Sequence, residues 1–506
     1  MANNAAHDTR TTFSANRLAQ AVSLVVAAMA GGVDGLTSNY PLQIIQPEPG
    51  LTNNRNRFYK AYPGFEYNVR MGVIGGKFPF SYALTNAPSG MTINAKTGEI
   101  DWPMPSISET PYDVTATVTD AENTTETVSW SVLVTTDGFL FVDANNGTAA
   151  TAGGTGTIGD PWKSLKDVYG GDSPADKDIA FHAGEFVYFR AGTYLMDGLV
   201  DGSNEGSGDG TRFTFRYDKK PQVWLAYPGD TMPVVQQDIA HLYFEGPGRD
   251  IWLDGLDFRS DGNVRAMGMN ISSSKQNVVI RRNKYSGITE GFTGGNNALI
   301  FFRKWGTGGR FAIQDNEFSG VDVGFAILAY RTNKVLVEDN YFHDIGAHAV
   351  GMKLESSRWD VRANLFRNNK LDSIWHYYAM EEPIYSADTE IRFNLVEQGG
   401  GRVAINNKYR ADGRPIYIYR NTLMDGGLQF YVTETNGPFY WTNNIILGED
   451  GHPDNIYQLA IYATARFIVK DNLTGTFADN IVDSSGSLAA GYLDFVGLRG
   501  HQLGEA

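Results

Sequence analysis

Residues 334–366, KVLVEDNYFHDIGAHAVGMKLESSRWDVRANLF, contain one phrase twice, VEDNYF and then VRANLF, with the asparagines 24 residues apart. Aligned on that asparagine, the chain also reads VIRRNKY, AIQDNEF, EIRFNLV, IYRNTLM, WTNNIIL and VKDNLTG. The centres are Asn283, Asn316, Asn340, Asn364, Asn394, Asn421, Asn444 and Asn472, at steps of 33, 24, 24, 30, 27, 23 and 28 residues. A repeat with a period of 20 to 50 residues marks a solenoid, whose units cannot bury their apolar faces alone and must stack. Each unit is strand-like: β-branched and aromatic residues alternate with polar ones, 3.6-residue periodicity is absent, and Gly or Asp closes the segment. A further strand follows each asparagine, in ALIFFRKW, GFAILAY, AVGMKLE, SIWHYYA, RVAINNK, LQFYVTE and YQLAIYA. Two or three short strands per turn of about 24 residues describe a parallel β-helix, with the asparagines stacked as an amide ladder at one corner.

Composition fits a large β protein. The chain has 57 glycines among 506 residues, 12% aromatic and 20% charged residues, and more length than one ordinary domain needs. A net charge of -15 with no basic patch excludes nucleic acid as partner. Cysteine is absent, so disulfides and cysteine metal sites play no part.

The first residues allow two readings. Arg10 and Arg17 precede LAQAVSLVVAAMAGG, and Ala28-Met29-Ala30 has the small residues of a signal cleavage site. Alternatively a short helix starts near Thr12 or Ser14, with Leu18, Val22, Val25 and Met29 spaced 4, 3 and 4 as a two-heptad seam. The apolar run is too short to span a membrane, so no membrane insertion is expected.

From about Tyr40 to Val134 the texture changes to short strands and frequent turns, ending in PYDVTATVTDAENTTETVSWSVLV, which reads as a small β-sandwich. The phrase FPFSYALTNAPSGMTINAKTGEIDWPMP resembles the immunoglobulin-like (cadherin-like) modules of bacterial and phage surface proteins, and that resemblance implies spacing or adhesion. Then FLFVDANNGTAATAGGTGTIGDPWKSLKDVY runs through a Gly/Thr-rich loop into Asp160-Pro161, opening a short helix with Trp162, Leu165 and Val168 on one face. Followed by GEFVYFRAGTYLM, this order resembles the start of right-handed β-helices of the pectate-lyase-like superfold, where such a helix caps the coil. The expected fold is all-β: a right-handed single-stranded parallel β-helix preceded by a small β-sandwich and a short N-terminal helix. The expected bounds are 1–38 for the arm or signal, 39–136 for the sandwich and 137–506 for the coil.

The resemblance implies a protein that binds or cleaves polysaccharide, since the superfold includes secreted lyases and hydrolases, phage tailspikes and alginate epimerases. Stacked strands about 4.8 Å apart form a straight wall whose outward side chains can follow successive sugars. If Val350, Met352 and Leu354 point inward, Lys353 and Glu355 point out, as do Trp375 and Tyr377 on the next turn and Asn406 and Lys408 on the one after. Arg303, Tyr330 or Arg331, Tyr431 and Thr433 extend the face, while His376 and Tyr378 fall inside unless that strand is bulged.

Two chemistries could use this wall. For β-elimination on a uronic acid, Lys353, His376 or Tyr377, Asn406, Lys408 and Arg410 supply the base, the acid and the neutralising group. For hydrolysis, Glu355 would pair with Asp372, Glu381 or Glu382 across the scissile bond. The loop 376–383, HYYAMEEP, lies in one of the longer insertions, where active-site loops gather. Each feature has a plainer role: a solvated ion pair for Lys353 and Glu355, core stacking for WHYY, surface turn positions for His343 and His348. The acidic loop 200–212 imitates a calcium loop at Asp201, Ser203, Glu205 and Gly206, but Arg212 stands where the closing glutamate is required. No cofactor is therefore expected, with calcium the one option left open.

Three classes follow. The first is a homotrimeric tailspike on a virion surface that binds, and cleaves, a bacterial capsule or O-antigen. The second is a secreted polysaccharide lyase or hydrolase, and the third a non-catalytic carbohydrate-binding adhesin at the cell surface.

Overall fold

The computed structural model describes residues 38–50, 56–169, 186–195, 212–215, 222–237, 241–244, 249–260, 269–272, 276–288, 298–303, 308–322, 324–354, 356–377, 388–397, 402–407, 415–424, 428–432, 439–442, 444–448, 457–461, 467–470 and 473–476. The expected N-terminal helix or signal lies outside the described residues.

The repeat winds into three parallel sheets of 12, 11 and 10 strands among the described residues, one strand of each per turn. The first sheet runs from Phe139–Val142 to Phe467–Lys470 and holds the residues leading into each asparagine. The second begins at Thr193–Leu195 and holds the short strands after it. The third, from Arg212–Phe215 to Tyr457–Ile461, holds the further strands.

Between the first and second sheets stands the amide column. Asn316 Oδ1 accepts from the backbone N–H of Asn283 at 3.0 Å and from its Nδ2 at 3.2 Å. The same pair of bonds joins Asn316 to Asn340, Asn340 to Asn364, Asn364 to Asn394, Asn394 to Asn421, and Asn421 to Asn444. Each Nδ2 also donates to a backbone carbonyl of the preceding turn, as Asn364 does to Val337 O at 2.9 Å. All seven side chains are buried, so each donor and acceptor must find a partner inside the protein. The residue before most of them is left-handed without being glycine: Arg282, Asp315, Asp339, Ala363, Phe393 and Arg420 have φ between 53° and 59°. Such a turn costs of order 1 kcal/mol and persists only where its surroundings over-determine it, as the column does here. Asn472 lies outside the described residues.

Two positions after the asparagine, and after Leu256 in the turn before Asn283, a second column forms inside the coil. Phe258, Tyr285, Phe318, Phe342 and Phe366 stack at 4.8–5.0 Å with rings nearly parallel. At the N-terminal end, Trp162, Leu165 and Val168 bury against Leu140, Val142 and Val187 and close the core. The helix itself is Leu165–Tyr169, later than Asp160-Pro161. Asp160 instead binds the Thr155 N–H and hydroxyl within the loop, while Asp167 accepts from Ser164 N at 2.9 Å and so caps the helix.

The sandwich forms as expected, from a sheet of Lys60–Ala61, Thr125–Val134, Tyr112–Thr119 and Ser81–Asn86 facing Tyr67–Arg70, Glu99–Trp102 and Thr92–Ile93. Its position is the unexpected finding. Where the resemblance implied a spacer, the module lies lengthwise on the outer face of the first sheet and shares a hydrophobic core with it. Phe58 sits edge-on between Trp130 of the module and Trp252 of the coil at 5.8 and 5.5 Å. Charge fixes the rest. Arg70 of the module, 4% exposed, reaches Asp315 at 2.7 Å, Glu338 at 3.3 Å and also Asp339. In the other direction Arg281 reaches Asn68 Oδ1 at 2.8 Å, and Arg362 reaches Val73 O at 2.8 Å. Arg392 reaches Gly75 O and Gly76 O at 2.9 Å each. Those glycines have φ of 68° and 63°, and a Cβ on Gly75 would lie 2.2 Å from Pro41 O, so only glycine lets the turn present its carbonyls to Arg392.

Replacing Asn364 by alanine deletes the acceptor for two donors of Asn340 and the donor to Val337 O. Each stranded buried group costs about 1–3 kcal/mol, so Asn364→Ala should lose at least ~3 kcal/mol in urea unfolding, with a loss under ~1 kcal/mol refuting the column's role.

Candidate functional site

The module covers the first sheet, which directs attention to the outer face of the third. Its inward residues are set by the core: Ile300, Phe302, Ile327, Ala329, Val350, Met352, Ile374 and Val403 all join the main cluster. Counting outward from them, the backbone register aligns Tyr330 with Lys353, Lys353 with Tyr377, Tyr377 with Asn406, and Asn406 with Tyr431. Arg303 closes the preceding strand, in register with Ser272. Five of the candidate positions thus share one row across consecutive turns. The row's steps of 23, 24, 29 and 25 residues follow the asparagine steps of 24, 24, 30 and 27 closely, so strand positions stay aligned from turn to turn.

A parallel row aligns Leu328 with Gly351, Gly351 with Trp375, and Trp375 with Ala404. Gly351 is open where a side chain would collide: a Cβ there would come 2.5 Å from the Phe325 ring. That opening lets the rings of Phe325, His348 and Trp375 close over it. His348 lies 4.4 Å from Trp375 with planes 8° apart and 5.0 Å from Phe325, and its Nδ1 is 3.0 Å from Asp372 Oδ2.

Lys353 is held beside this stack. Its Nζ lies 4.7 Å from the Trp375 ring centre, 5.3 Å from Phe325 and 5.8 Å from Tyr330. The residue is 7% exposed, and burial pushes its ammonium down to about 8. The rings attract the charged form by about 0.5–2 kcal/mol, so desolvation acts against them and prevails. The result is a lysine with a substantial neutral fraction near physiological pH, edged by a half-buried tryptophan.

Not every candidate falls in described structure. Glu355, Tyr378, Glu381, Glu382, Lys408 and Arg410 lie outside the described residues, and so does Thr433. Arg303, His376, Tyr377, Asn406 and Tyr431 are placed by strand position alone, and His376 falls in register with the inward Met352 and with Ile405. Leu354 has φ of 44° and ends its strand instead of continuing the inward set. Asp372, a candidate hydrolytic carboxylate, is 4% exposed and faces His348.

The two histidines require correction, since neither is a turn residue. His343 lies in the second-sheet strand Tyr341–Ile345, between Asp344 at 2.7 Å and Glu317 at 3.3 Å. Its imidazole is held above the ordinary value because these carboxylates outweigh burial. His348 opens the third-sheet strand His348–Lys353. Sequence reasoning missed it and Phe325, although the 24-residue offset that pairs Asn340 with Asn364 also pairs His348 with Asp372 and Gly351 with Trp375. Among the described residues no three His, Asp or Glu side chains are grouped to hold a metal, and the acidic loop at 200–211 lies outside them.

The He_PIG family of Ig domains matches residues 51–135. Several solved structures align with the chain. The periplasmic alginate epimerase AlgG aligns at 12% identity over 61% of this chain and 90% of its own, with a TM-score of 0.29. The catalytic domain of a GH87 α-1,3-glucanase in complex with nigerose aligns at 10% identity over 89% and 87%, with a TM-score of 0.35. A Bacteroides fragilis protein named as a candidate α-galactosidase aligns at 13% identity and 0.16, and the chain spans only 39% of its length. Alignments this loose say nothing of substrate or reaction. No curated protein sequence matches the chain.

Trp375→Ala should open the stack to water, and the Lys353 midpoint should rise from about 8 toward the ordinary lysine value of about 10.4. An NMR titration of the lysine side chain reads this directly, and an unchanged midpoint would show that the rings do not exclude water.

Proposed function

We propose that the chain binds an acidic polysaccharide along the outer face of the third sheet and cleaves it by β-elimination, with Lys353 as the base. The observation that carries this reading is the desolvated Lys353 in register with Tyr377 and Asn406 on successive turns. Adjacent strands are about 4.8 Å apart, close to the spacing of neighbouring groups on one sugar residue and its glycosidic oxygen. In the proposed step neutral Lys353 Nζ takes the proton on the carbon beside the uronate carboxylate. The C–H electron pair forms the new double bond, the bond to the glycosidic oxygen breaks, and Tyr377 protonates the leaving oxygen. Asn406, on the turn after Tyr377, would hydrogen-bond the uronate carboxylate as charge develops, and Arg303, which ends the strand two turns before that of Lys353, would hold the carboxylate of a neighbouring sugar. Trp375 offers an apolar edge for a sugar face.

This reading includes a homotrimeric, tailspike-like protein on a virion surface, recognising capsule or O-antigen. Its support is the heptad spacing at Leu18, Val22, Val25 and Met29 together with the module's resemblance to surface proteins. Light scattering should then give a mass near three times 55.6 kDa, whereas a monomer would favour the secreted enzyme.

Incubation with uronate-containing capsular polysaccharides should generate the ultraviolet absorbance of an unsaturated sugar. kcat/KM should rise with pH and level off above about 8, because only the neutral amine accepts a proton. Lys353→Ala should lose at least ~100-fold. New reducing ends without unsaturation would replace elimination by hydrolysis, and binding without either product would leave a carbohydrate-binding adhesin.

A further inference from the structure

A cleft of about 350 Å³ opens where the module meets the first turns of the coil, within the range at which small-ligand sites begin, about 300 Å³. Its walls come from Arg57, Glu66 and Asn68 of the module and from Tyr188, the turn around Tyr227–Asp230, Met232 and Arg282 of the coil. It shares no residue with the third-sheet row and does not rest on the function proposed for that row.

Its polar groups are anchored from behind. Arg282 Nε is held by the buried Asp254 at 2.6 Å, while the side chain is 41% exposed and its two Nη atoms donate no hydrogen bond among the described residues. Asp230 is fixed by Arg190 at 2.7 Å and Ala191 N at 3.0 Å, and Arg190 itself lies 4.1 Å over the Tyr227 ring. Tyr188, 2% exposed, is stacked on Phe141 at 5.6 Å, yet its hydroxyl has no hydrogen-bond partner among the described residues. A buried hydroxyl without a partner costs about 1–3 kcal/mol unless something supplies one. Met232, 38% exposed, gives the cleft an apolar lip.

We propose that this cleft is a second saccharide site, taking one or two sugar rings. A sugar ring has hydroxyls that both donate and accept along its rim and C–H faces above and below. The cleft offers that complement: guanidinium donors from Arg282, carboxylate acceptors from Asp230 and Glu66, and apolar contact from Met232 and Pro228. A simple anion would meet Asp230 and Glu66, and a simple cation would meet Arg282 and Arg57, so a neutral polyol surface fits best.

Saturation-transfer NMR on the full chain, with galactose, N-acetylglucosamine and glucose as probes and glycerol as control, tests this. At least one sugar should receive saturation where glycerol does not. The effect should vanish in Met232→Trp, which fills the cleft, and fall several-fold in Tyr188→Phe, which keeps the ring stack. It should persist in Trp375→Ala. No transfer to any of the three sugars, or transfer that survives Met232→Trp and disappears in Trp375→Ala, would overturn the proposal.

Discussion

A buried primary amide stacked on the amide of the next turn is the constraint from which the coil follows. An asparagine in this position accepts two bonds from the turn before it and donates into the carbonyls that the corner leaves exposed. No apolar residue could do both, and an unmatched amide in the interior would be costly. Because each amide must meet the next, the turns cannot slip relative to one another. A slip of one residue would exchange the inner and outer faces of every strand. Loops of different length can therefore be inserted between strands while distant segments remain in register, and strand positions on the third sheet line up across turns.

The module makes the three faces unequal. Its docking removes the first sheet from solvent by combining an aromatic core with arginines that are almost fully buried. A buried charge is tolerable only when paired and hydrogen-bonded. Asp360 satisfies this by holding both Arg362 and Arg392, which in turn bind module carbonyls. Geometry of this kind fixes orientation more than it adds stability, since replacement of such networks by apolar groups is often neutral. The module accordingly acts as part of the wall structure, and the cleft at its edge exists only because it is docked.

Much of this was legible in the sequence. The asparagine column was readable because a single chemistry is required at a fixed place in every turn, and the aromatic column two residues later follows the same logic. The shared backbone register of Tyr330, Lys353, Tyr377, Asn406 and Tyr431 was readable because each strand position recurs with the turn once Val350 and Met352 are placed inside. The docking was not. Arg281, Arg362 and Arg392 occupy outward strand positions that in sequence look like solvated charges, and their partners Asn68, Val73, Gly75 and Gly76 stand about 200 to 300 residues away. Nor does the sequence reveal that Lys353 is desolvated, because the shielding comes from Phe325 and Trp375 on the strands to either side.

The register of the coil can be read one amide at a time. Native-state hydrogen exchange at the backbone N–H groups of Asn283, Asn316, Asn340, Asn364, Asn394 and Asn421 should place all six in the most protected class, released only by global unfolding. Fast or mutually unrelated exchange at those six amides would contradict the column and the aligned wall that depends on it.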